Sequence, residues 1–323
     1  MEIRPFRRDE YRSMIDLMNL AFGFQTPEAQ FEHILPKLYF PDNPDMIHIG
    51  CFVDGIPVSS IGLYRMDMEH KGYGLKVGCV GAVSTHPDHR KNGYFTAVLN
   101  EVIRYAEEQQ YDLLFLGGNR FRYGHFGFEN AGRQCIFRFT KRTRPALPYD
   151  AYETRPVSRE DSDVIDQMFS LYNRLEMKTI LSRERFYDML ISWNAQPYAV
   201  FQNCQLKGFY SLFGQNGVSI LVHDGPIETI LESILDLREE ATVILPMTYY
   251  ESLLPYCDGF TVTNNEMYKI LNEDHVIRFQ CGEGKQFEGL PEDPRRRARM
   301  ILGDTGYDSV TGINMFLSHA NSG

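Results

Sequence analysis

The chain has 323 residues, a formal net charge of -10 and 24% charged residues, which is the composition of a folded globular protein rather than a disordered one. Its length favours roughly two domains. Acidic residues outnumber Lys and Arg by 43 to 33, which argues against nucleic acid as a partner, because nucleic acid requires a basic face. No apolar run reaches the roughly 18 residues of a membrane span, and the amino terminus has no apolar signal core. We therefore expect no membrane partner.

Cysteine usage points to the cytoplasm and away from metal binding. The six cysteines are scattered, and no C-x-x-C pair occurs. This spacing fits neither a zinc site nor a disulfide framework, so no metal is expected.

The first half alternates strand and helix patterns. In chain order these are a strand at Glu2–Pro5, a helix with apolar Met14, Ile15, Met18 and Phe22, an amphipathic stretch at Pro27–Leu35, strands at His48–Val53, Val58–Arg65 and Leu75–Thr85, a helix at Phe95–Gln109, and strands at Asp112–Leu116 and Gln134–Thr140. The Asp54-Gly55 pair between two strands predicts a hairpin. A strand, a helix and a further strand indicate a mixed α/β sheet that contains a parallel pair.

The second half repeats the first weakly. Arg4-Pro5, Arg8 and Ile15-Asp16 recur as Arg155-Pro156, Arg159 and Ile165-Asp166, in the same order and at similar spacing. A polar stretch with Pro145 and Pro148 marks the boundary between the halves. Chance agreement is the alternative, but duplication is favoured because order and spacing agree together. We therefore predict a first domain at 1–145, a related second domain at 152–272 and a carboxy-terminal extension at 273–323.

One loop has the features of an anion site. A buried strand ends at Thr85, and a helix follows directly after a loop that contains Arg90 and Gly93. The first N–H groups of a helix lack intrahelical partners and lie at the positive end of its dipole. Gly93 has no Cβ, so a phosphate could approach the backbone closely. The alternative is an ordinary turn between a strand and a helix.

The spacing of this loop resembles motif A of the GNAT superfamily of acetyl-CoA-dependent N-acetyltransferases. The family pattern Val-x-x-x-Pro-x-x-Arg-x-x-Gly-x-(Gly/Ala) is matched by Val83, Pro87, Arg90 and Gly93, with Phe95 at the small position. A bulky residue there is similar to the enhanced-intracellular-survival type of GNAT enzyme, which has tandem domains. The resemblance implies a GNAT-like mixed sheet with flanking helices in two tandem domains, and acetyl-CoA as co-substrate.

The same resemblance implies the site residues. Tyr123, followed by the Gly127-Phe128 turn, corresponds to the tyrosine that is the general acid in that subfamily. A tyrosine that only packs its ring under a loop is the alternative. The implied cofactor-binding residues lie in the strand end, the loop and the next strand end, and they are Val83, Ser84, Thr85, Arg90, Lys91, Asn92, Gly93, Tyr94, Phe95 and Asn119. For Asn119, a helix cap is the alternative.

The general base stays open at this point. His86, His89 and His125 lie near the motif, and a histidine could accept the amine proton. None is assigned, because solvent exposure or deprotonation through water would explain the pattern equally well. The four arginines of a predicted helix at Glu292–Ile301 indicate either an anion site or, more commonly, a solvated face with neighbouring acids.

The sequence therefore predicts an N-acetyltransferase that acts on a primary amine of a small molecule or peptide, a polyamine or an aminoglycoside among them. The second half lacks the Arg-x-x-Gly loop after its central strand at Val218–Val222, so we expect it to shape the acceptor pocket. A non-catalytic acyl-CoA-binding sensor is the alternative function, and a nucleic-acid-modifying enzyme is disfavoured by the charge. The oligomeric state, including a homo-oligomer, is left open.

Overall fold

A computed structural model describes residues 1–142, 152–264, 266–283 and 289–303. Within these ranges the chain forms two seven-stranded mixed sheets, each flanked by helices, and one small three-stranded sheet. The predicted mixed α/β class with two tandem units is confirmed. The Pro145–Pro148 boundary lies outside the described residues.

The first half contributes nine strands and four helices to the described structure. The strands are β1 (Glu2–Pro5), β2 (Met46–Val53), β3 (Ile56–Arg65), β4 (Met68–His70), β5 (Tyr73–Leu75), β6 (Val77–Thr85), β7 (Leu113–Leu116), β8 (Glu129–Ala131) and β9 (Gln134–Thr140). The helices are α1 (Tyr11–Phe22), α2 (Phe31–Ile34), α3 (Tyr94–Glu108) and α4 (Arg120–Tyr123).

The remaining described elements follow from residue 153. The strands are β10 (Glu153–Pro156), β11 (Met177–Thr179), β12 (Gln196–Gln202), β13 (Gln205–Phe213), β14 (Gly217–His223), β15 (Glu240–Pro246), β16 (Gly259–Thr263) and β17 (Glu266–Ile270). The helices are α5 (Ser162–Asn173), α6 (Arg183–Leu190), α7 (Ile227–Leu237), α8 (Tyr250–Leu253), α9 (Glu273–Cys281) and α10 (Pro294–Leu302).

Both large sheets have the same plan. The first has the order β1-β2-β3-β6-β7-β17-β8 and the second the order β10-β12-β13-β14-β15-β9-β16. In each, the central parallel pair (β6 with β7, β14 with β15) follows three strands linked by antiparallel pairing. The shared order supports the predicted duplication, because equivalent strands of the two halves occupy equivalent places.

The sixth strand of each sheet comes from the other half of the chain. β17 lies between β7 and β8 in the first sheet, and β9 lies between β15 and β16 in the second. The ranges 1–145 and 152–272 stay a prediction as domain units. Each range nevertheless contributes one strand to the sheet of the other, β9 to the second sheet and β17 to the first. The predicted strand at Gln134–Thr140 is thus correct in its bounds and belongs to the second sheet.

The amphipathic stretch predicted at Pro27–Leu35 is not one continuous helix in the structure. A short 3-10 turn at Pro27–Ala29 ends at Gln30, which is extended, and α2 begins only at Phe31. The buried side chain of Asn19 on α1 explains the start of α2, because its Oδ1 accepts the N–H of Phe31 at 3.2 Å. A side chain from outside the helix therefore binds one of its unpaired first-turn donors.

The described part of the carboxy-terminal extension packs against the small three-stranded sheet and the first sheet. Helix α9 contacts β4 and β5, while α10 contacts β8 and β17. Three of the four arginines of α10 pair with acids: Arg295 with Asp293, Arg297 with Glu273, and Arg299 with the buried Glu129. Of the neighbouring acids that the sequence offered, Asp293 has this role, whereas the partners Glu273 and Glu129 are distant in sequence and were not predicted.

Two findings bear on partners. None of the helices in the described ranges combines the length and the apolar character that crossing a membrane requires. Among the same residues, no cluster of three or more His, Cys, Asp or Glu side chains could hold a metal ion.

The strand exchange predicts that the halves do not fold separately. Without β17, a fragment of residues 1–142 would expose the edge of β7, whose four side chains are at most 1% exposed in the whole chain. Exposed apolar edges promote association. We expect fragment 1–142 to aggregate or to lack a cooperative thermal transition, and co-expression with 152–323 to recover a soluble complex. A monomeric fragment 1–142 that melts cooperatively would contradict this.

Candidate active site

The centre of the first sheet is open because the parallel pair β6–β7 is short. Its pairing covers Val77 to Cys79, while β6 continues to Thr85. A bulge lies just beyond, where Ala82 and Val83 together oppose Ile61 of β3. Ala82 has a φ of 47°, a conformation that L residues seldom adopt. The bulge bends the strand locally, and a gap opens between the carboxyl ends of β6 and β7.

The loop after β6 presents unpaired backbone donors. Gly93 precedes α3 with φ 77° and ψ 3°, and no side chain of the described residues caps the first turn of this helix. Lys91 is also left-handed, with a φ of 69°. Gly93 tolerates its φ because it lacks a Cβ, and a Cβ built there would meet no atom within 4 Å. The start of α3 is therefore open to an anion.

A cleft of about 650 Å³ lies over this loop. Eight of the ten predicted cofactor-binding residues line it, namely Val83, Thr85, Arg90, Lys91, Asn92, Gly93, Tyr94 and Phe95. Its charged side chains are Arg90, Lys91 and Arg122, all exposed, and no carboxylate lines it. In a chain with a net charge of -10, this is a local basic site suited to an anionic ligand.

The other two predicted cofactor-binding residues lie outside the cleft lining. Ser84 is buried, and its hydroxyl donates to the Ala82 carbonyl at 2.9 Å. Asn119 caps α4, because its Oδ1 accepts the N–H of Phe121 at 2.8 Å. The cap is thus present, and contact of Asn119 with a cofactor stays a prediction.

Tyr123 lies at the end of α4 and is buried, with 6% exposure. The rings of Phe95 and Phe128 both meet it edge-on, with centroid distances of 5.8 Å and 6.3 Å. The bulky residue at the small position of the motif therefore supports the tyrosine from α3. It does so without entering the turn formed by Gly93.

Burial raises the pKa of Tyr123, and the neighbouring Arg122 opposes that rise in part. A raised pKa keeps the phenol protonated at neutral pH, so the hydroxyl can act as a proton donor.

The three histidines near the loop differ in their surroundings. His86 Nδ1 accepts the N–H of Asp88 at 3.3 Å, and the rings of His86 and His89 are 5.4 Å apart. His125 is exposed. Of the three, His89 lines the cleft. These positions give none of them the role of base.

Sequence reasoning missed four residues of the cleft, which are Ala21, Phe22, Thr96 and Arg122. Ala21 and Phe22 end α1, and Arg90 reaches the Ala21 carbonyl at 3.5 Å. This approach is a tertiary contact that sequence cannot show. Arg122 had a visible signal, since it is a second positive charge directly before the predicted acid.

The second sheet repeats the opening without the anion loop. The pair β14–β15 bonds only at Gly217 and Val218, with a register shift in the ladder beside it. Only residues 224–226 lie between β14 and α7. Asp224 pairs with Arg174 at 2.8 Å, and Glu228 lies in the first turn of α7. Two acids at a helix start repel a phosphate.

Comparisons with known proteins agree with this geometry. Residues 2–131 match the family described as an acetyltransferase (GNAT) domain. No curated protein matches the chain.

Solved structures share the fold at low identity. A probable N-acyltransferase from Enterococcus faecalis has a TM-score of 0.67 at 14% sequence identity, and the match covers 86% of this chain and 74% of that protein. A GCN5-related N-acetyltransferase from Anabaena variabilis has a TM-score of 0.66 at 11% sequence identity, and the match covers 86% of this chain and 75% of that protein. Eis1 from Mycobacterium abscessus has a TM-score of 0.62 at 15% sequence identity, and the match covers 86% of this chain and 76% of that protein. At these identities the likeness shows the fold.

The splayed strands, the uncapped helix start and the family match over residues 2–131 lead to one conclusion. Residues 2–131 of the chain form a GNAT acetyltransferase domain.

Proposed function

We propose that the protein transfers an acetyl group from acetyl-CoA to a primary amine of a small molecule or peptide, by direct attack of the amine on the thioester. The observation that carries this proposal is the uncapped start of α3 behind the left-handed Gly93, at the mouth of the gap between β6 and β7. This combination provides an anion site next to a strand whose backbone groups are available to a ligand.

The residues present fit coenzyme A. Its pyrophosphate would lie on the first-turn N–H groups of α3, with Arg90 and Lys91 beside it. Each hydrogen bond from such a donor to a charged oxygen contributes about 1.5–3 kcal/mol. The pantetheine arm would enter the gap between β6 and β7, where it takes the place of the missing strand pairing. Bound there, the coenzyme supplies an activated acetyl group.

The chain then supplies an oxyanion donor and an acid. Attack on the thioester carbonyl creates negative charge on oxygen, and a backbone N–H near Val83 in the bulge would stabilise it. The departing thiolate needs a proton, and the Tyr123 hydroxyl holds one because burial raises its pKa. The ring contacts of Phe95 and Phe128 fix the position of that hydroxyl.

A non-catalytic acyl-CoA sensor is the second candidate, because it would keep the same loop. A test of turnover separates the two. Purified protein is incubated with acetyl-CoA and a panel of polyamines, aminoglycosides and peptides with free amino groups, and release of free thiol is followed. We expect release that depends on at least one amine. Binding of acetyl-CoA with no release above background on the whole panel would favour the sensor.

Gly93→Val should abolish acetyl-CoA binding. A left-handed backbone costs L residues about 1–2 kcal/mol, and a branched side chain would stand where the phosphate approaches. Titration calorimetry should give one site per chain for the wild type and no detectable site for the variant. Gly74→Val is the matched control, because Gly74 has open space and no positive φ. Two sites per chain, or unchanged affinity in Gly93→Val, would contradict the assignment.

Tyr123→Phe should keep the fold and the cofactor affinity while slowing the chemical step. Only the hydroxyl is removed, and general acids contribute about 10²–10⁴-fold. Single-turnover rates are the proper measurement, because product release can mask the loss in steady state. The loss should appear in kcat more than in KM. A wild-type single-turnover rate in this variant would reduce Tyr123 to a packing residue.

A further inference from the structure

A carboxylate from the second half of the chain stands at the end of β7, the strand that borders the gap in the first sheet, on the side of β7 away from β6. Glu266 begins β17, and the next residue, Met267, pairs with Leu116 of β7. Glu266 therefore lies next to Gly117, where β7 has ended. Its Oε2 is 3.3 Å from the place that a Cβ on Gly117 would occupy. A side chain at residue 117 would thus crowd the carboxylate.

Glu266 and Tyr123 lie on opposite faces of the sheet. Glu266 is opposite Ala131, and its neighbour on the same face, Tyr268, packs in the core beneath α1 and α2. Tyr123 packs against Gly118 in the core beneath α3. Beyond the end of β7, a Cβ on Gly117 would meet Glu266, whereas a Cβ on Gly118 would meet Tyr123, so the two glycines turn towards different sides. An acceptor entering from the Glu266 side would meet the thioester opposite the tyrosine.

The carboxylate of Glu266 is unpaired. Within the described residues it has neither a hydrogen-bond partner nor an ion-pair partner. Burial alone raises its pKa to about 7. A group with this pKa is half ionised near neutral pH, which suits a base that must accept and release a proton in each cycle.

The surrounding charged groups are already paired or lie elsewhere. Glu129 on β8 is on the same face, and it is bound by Arg120 of α4 at 2.8 Å and Arg299 of α10 at 3.1 Å. The phenol of Tyr268 is the titratable neighbour on β17, and Lys269 lies on the other face near Gly127. No cation among the described residues holds Glu266, so an ammonium group can take that place.

We propose that Glu266 is the catalytic base, which binds the protonated acceptor amine and removes its proton. The inference rests on the proposed function, and it extends that function to acceptors that arrive as cations. Glu266 was missed in the sequence because it lies more than 140 residues beyond Tyr123, in the range predicted for the second domain.

The protons balance in this scheme. The Glu266 carboxylate takes one proton from the ammonium, and the neutral nitrogen forms the C–N bond at the thioester carbonyl carbon. The C–S bond breaks as the Tyr123 hydroxyl gives its proton to sulfur. The second nitrogen proton restores the Tyr123 hydroxyl through water, and Glu266 releases its own proton to solvent. Amide, thiol and one proton are the products.

The test compares Glu266→Gln with Glu266→Asp and with the control Glu251→Gln, an exposed glutamate of α8. The kcat/KM of the full chain is measured from pH 5.5 to 9.5 with the best amine of the panel. The pH profile of the wild type should show an acidic limb near pH 7, where kcat/KM falls with decreasing pH because the carboxylate becomes protonated. Glu266→Gln should lose about 10²–10⁴-fold and the limb with it, leaving only the ionisation of the amine itself. Glu266→Asp should keep the limb at reduced rate, and Glu251→Gln should match the wild type.

Thermal unfolding provides a readout that needs no substrate. The folded-state pKa of Glu266 exceeds the unfolded value of about 4.3, so the folded state holds more protons between these pH values. Stability from this group is present at low pH and is lost as the pH rises from about 4 to 7. As the pH rises over this range, the melting temperature of Glu266→Gln should therefore increase relative to that of the wild type. Glu251→Gln should show no such change.

The outcomes separate the two proposals. An active wild type with an unchanged pH profile in Glu266→Gln overturns Glu266 as the base and leaves the acetyltransferase intact. No turnover by the wild type on any amine overturns both. A lost limb, with rescue in Glu266→Asp and unchanged acetyl-CoA binding in every variant, supports the inference.

Discussion

The short pairing between β6 and β7 is the constraint on which the site depends. Hydrogen bonds join these strands only as far as Cys79 and Phe115, and the bulge at Ala82 then bends β6. Backbone groups that would otherwise pair across the sheet become available to a ligand, which can satisfy them as a strand would. The second sheet has the same opening at β14–β15 but a short acidic loop behind it. The opening is therefore a property of the fold, while anion binding is a property of the loop.

Completion of the first sheet by β17 connects the site to the rest of the chain. Glu129 on β8, which is 1% exposed, accepts from Arg120 of α4 and from Arg299 of α10. The two arginines lower the pKa of this carboxyl against the opposing effect of burial. Loss of one partner of a buried pair leaves charge uncompensated. Glu129 thus links α4, the short helix that carries Tyr123, to α10. This link stabilises α4, because a helix of four residues has little stability of its own.

Local signals in the sequence were sufficient for much of the fold. The Asp54-Gly55 hairpin, helix α3 and the loop around Gly93 are specified by neighbouring residues, and they were predicted to within a few residues. The exchange of β9 and β17 was not predictable, because a buried strand has the same apolar pattern whichever sheet receives it. Glu266 was missed for that reason. The start of α2 likewise depends on Asn19, twelve residues away, and no local pattern shows such a contact.

Burial at the end of β7 raises the pKa of both groups that we propose for proton transfer. Burial raises the pKa of Tyr123, which is already high, so the phenol stays protonated at neutral pH. Burial also raises the pKa of Glu266 from a low ordinary value to about 7, so the carboxyl titrates in the working range. One physical cause therefore suits the two groups to opposite proposed roles, because their ordinary pKa values lie on opposite sides of neutrality. Glu266 adjoins Gly117 and Tyr123 adjoins Gly118, on opposite faces of the sheet. An amine and a leaving thiolate would therefore meet their proton-transfer groups on different sides of the same strand end.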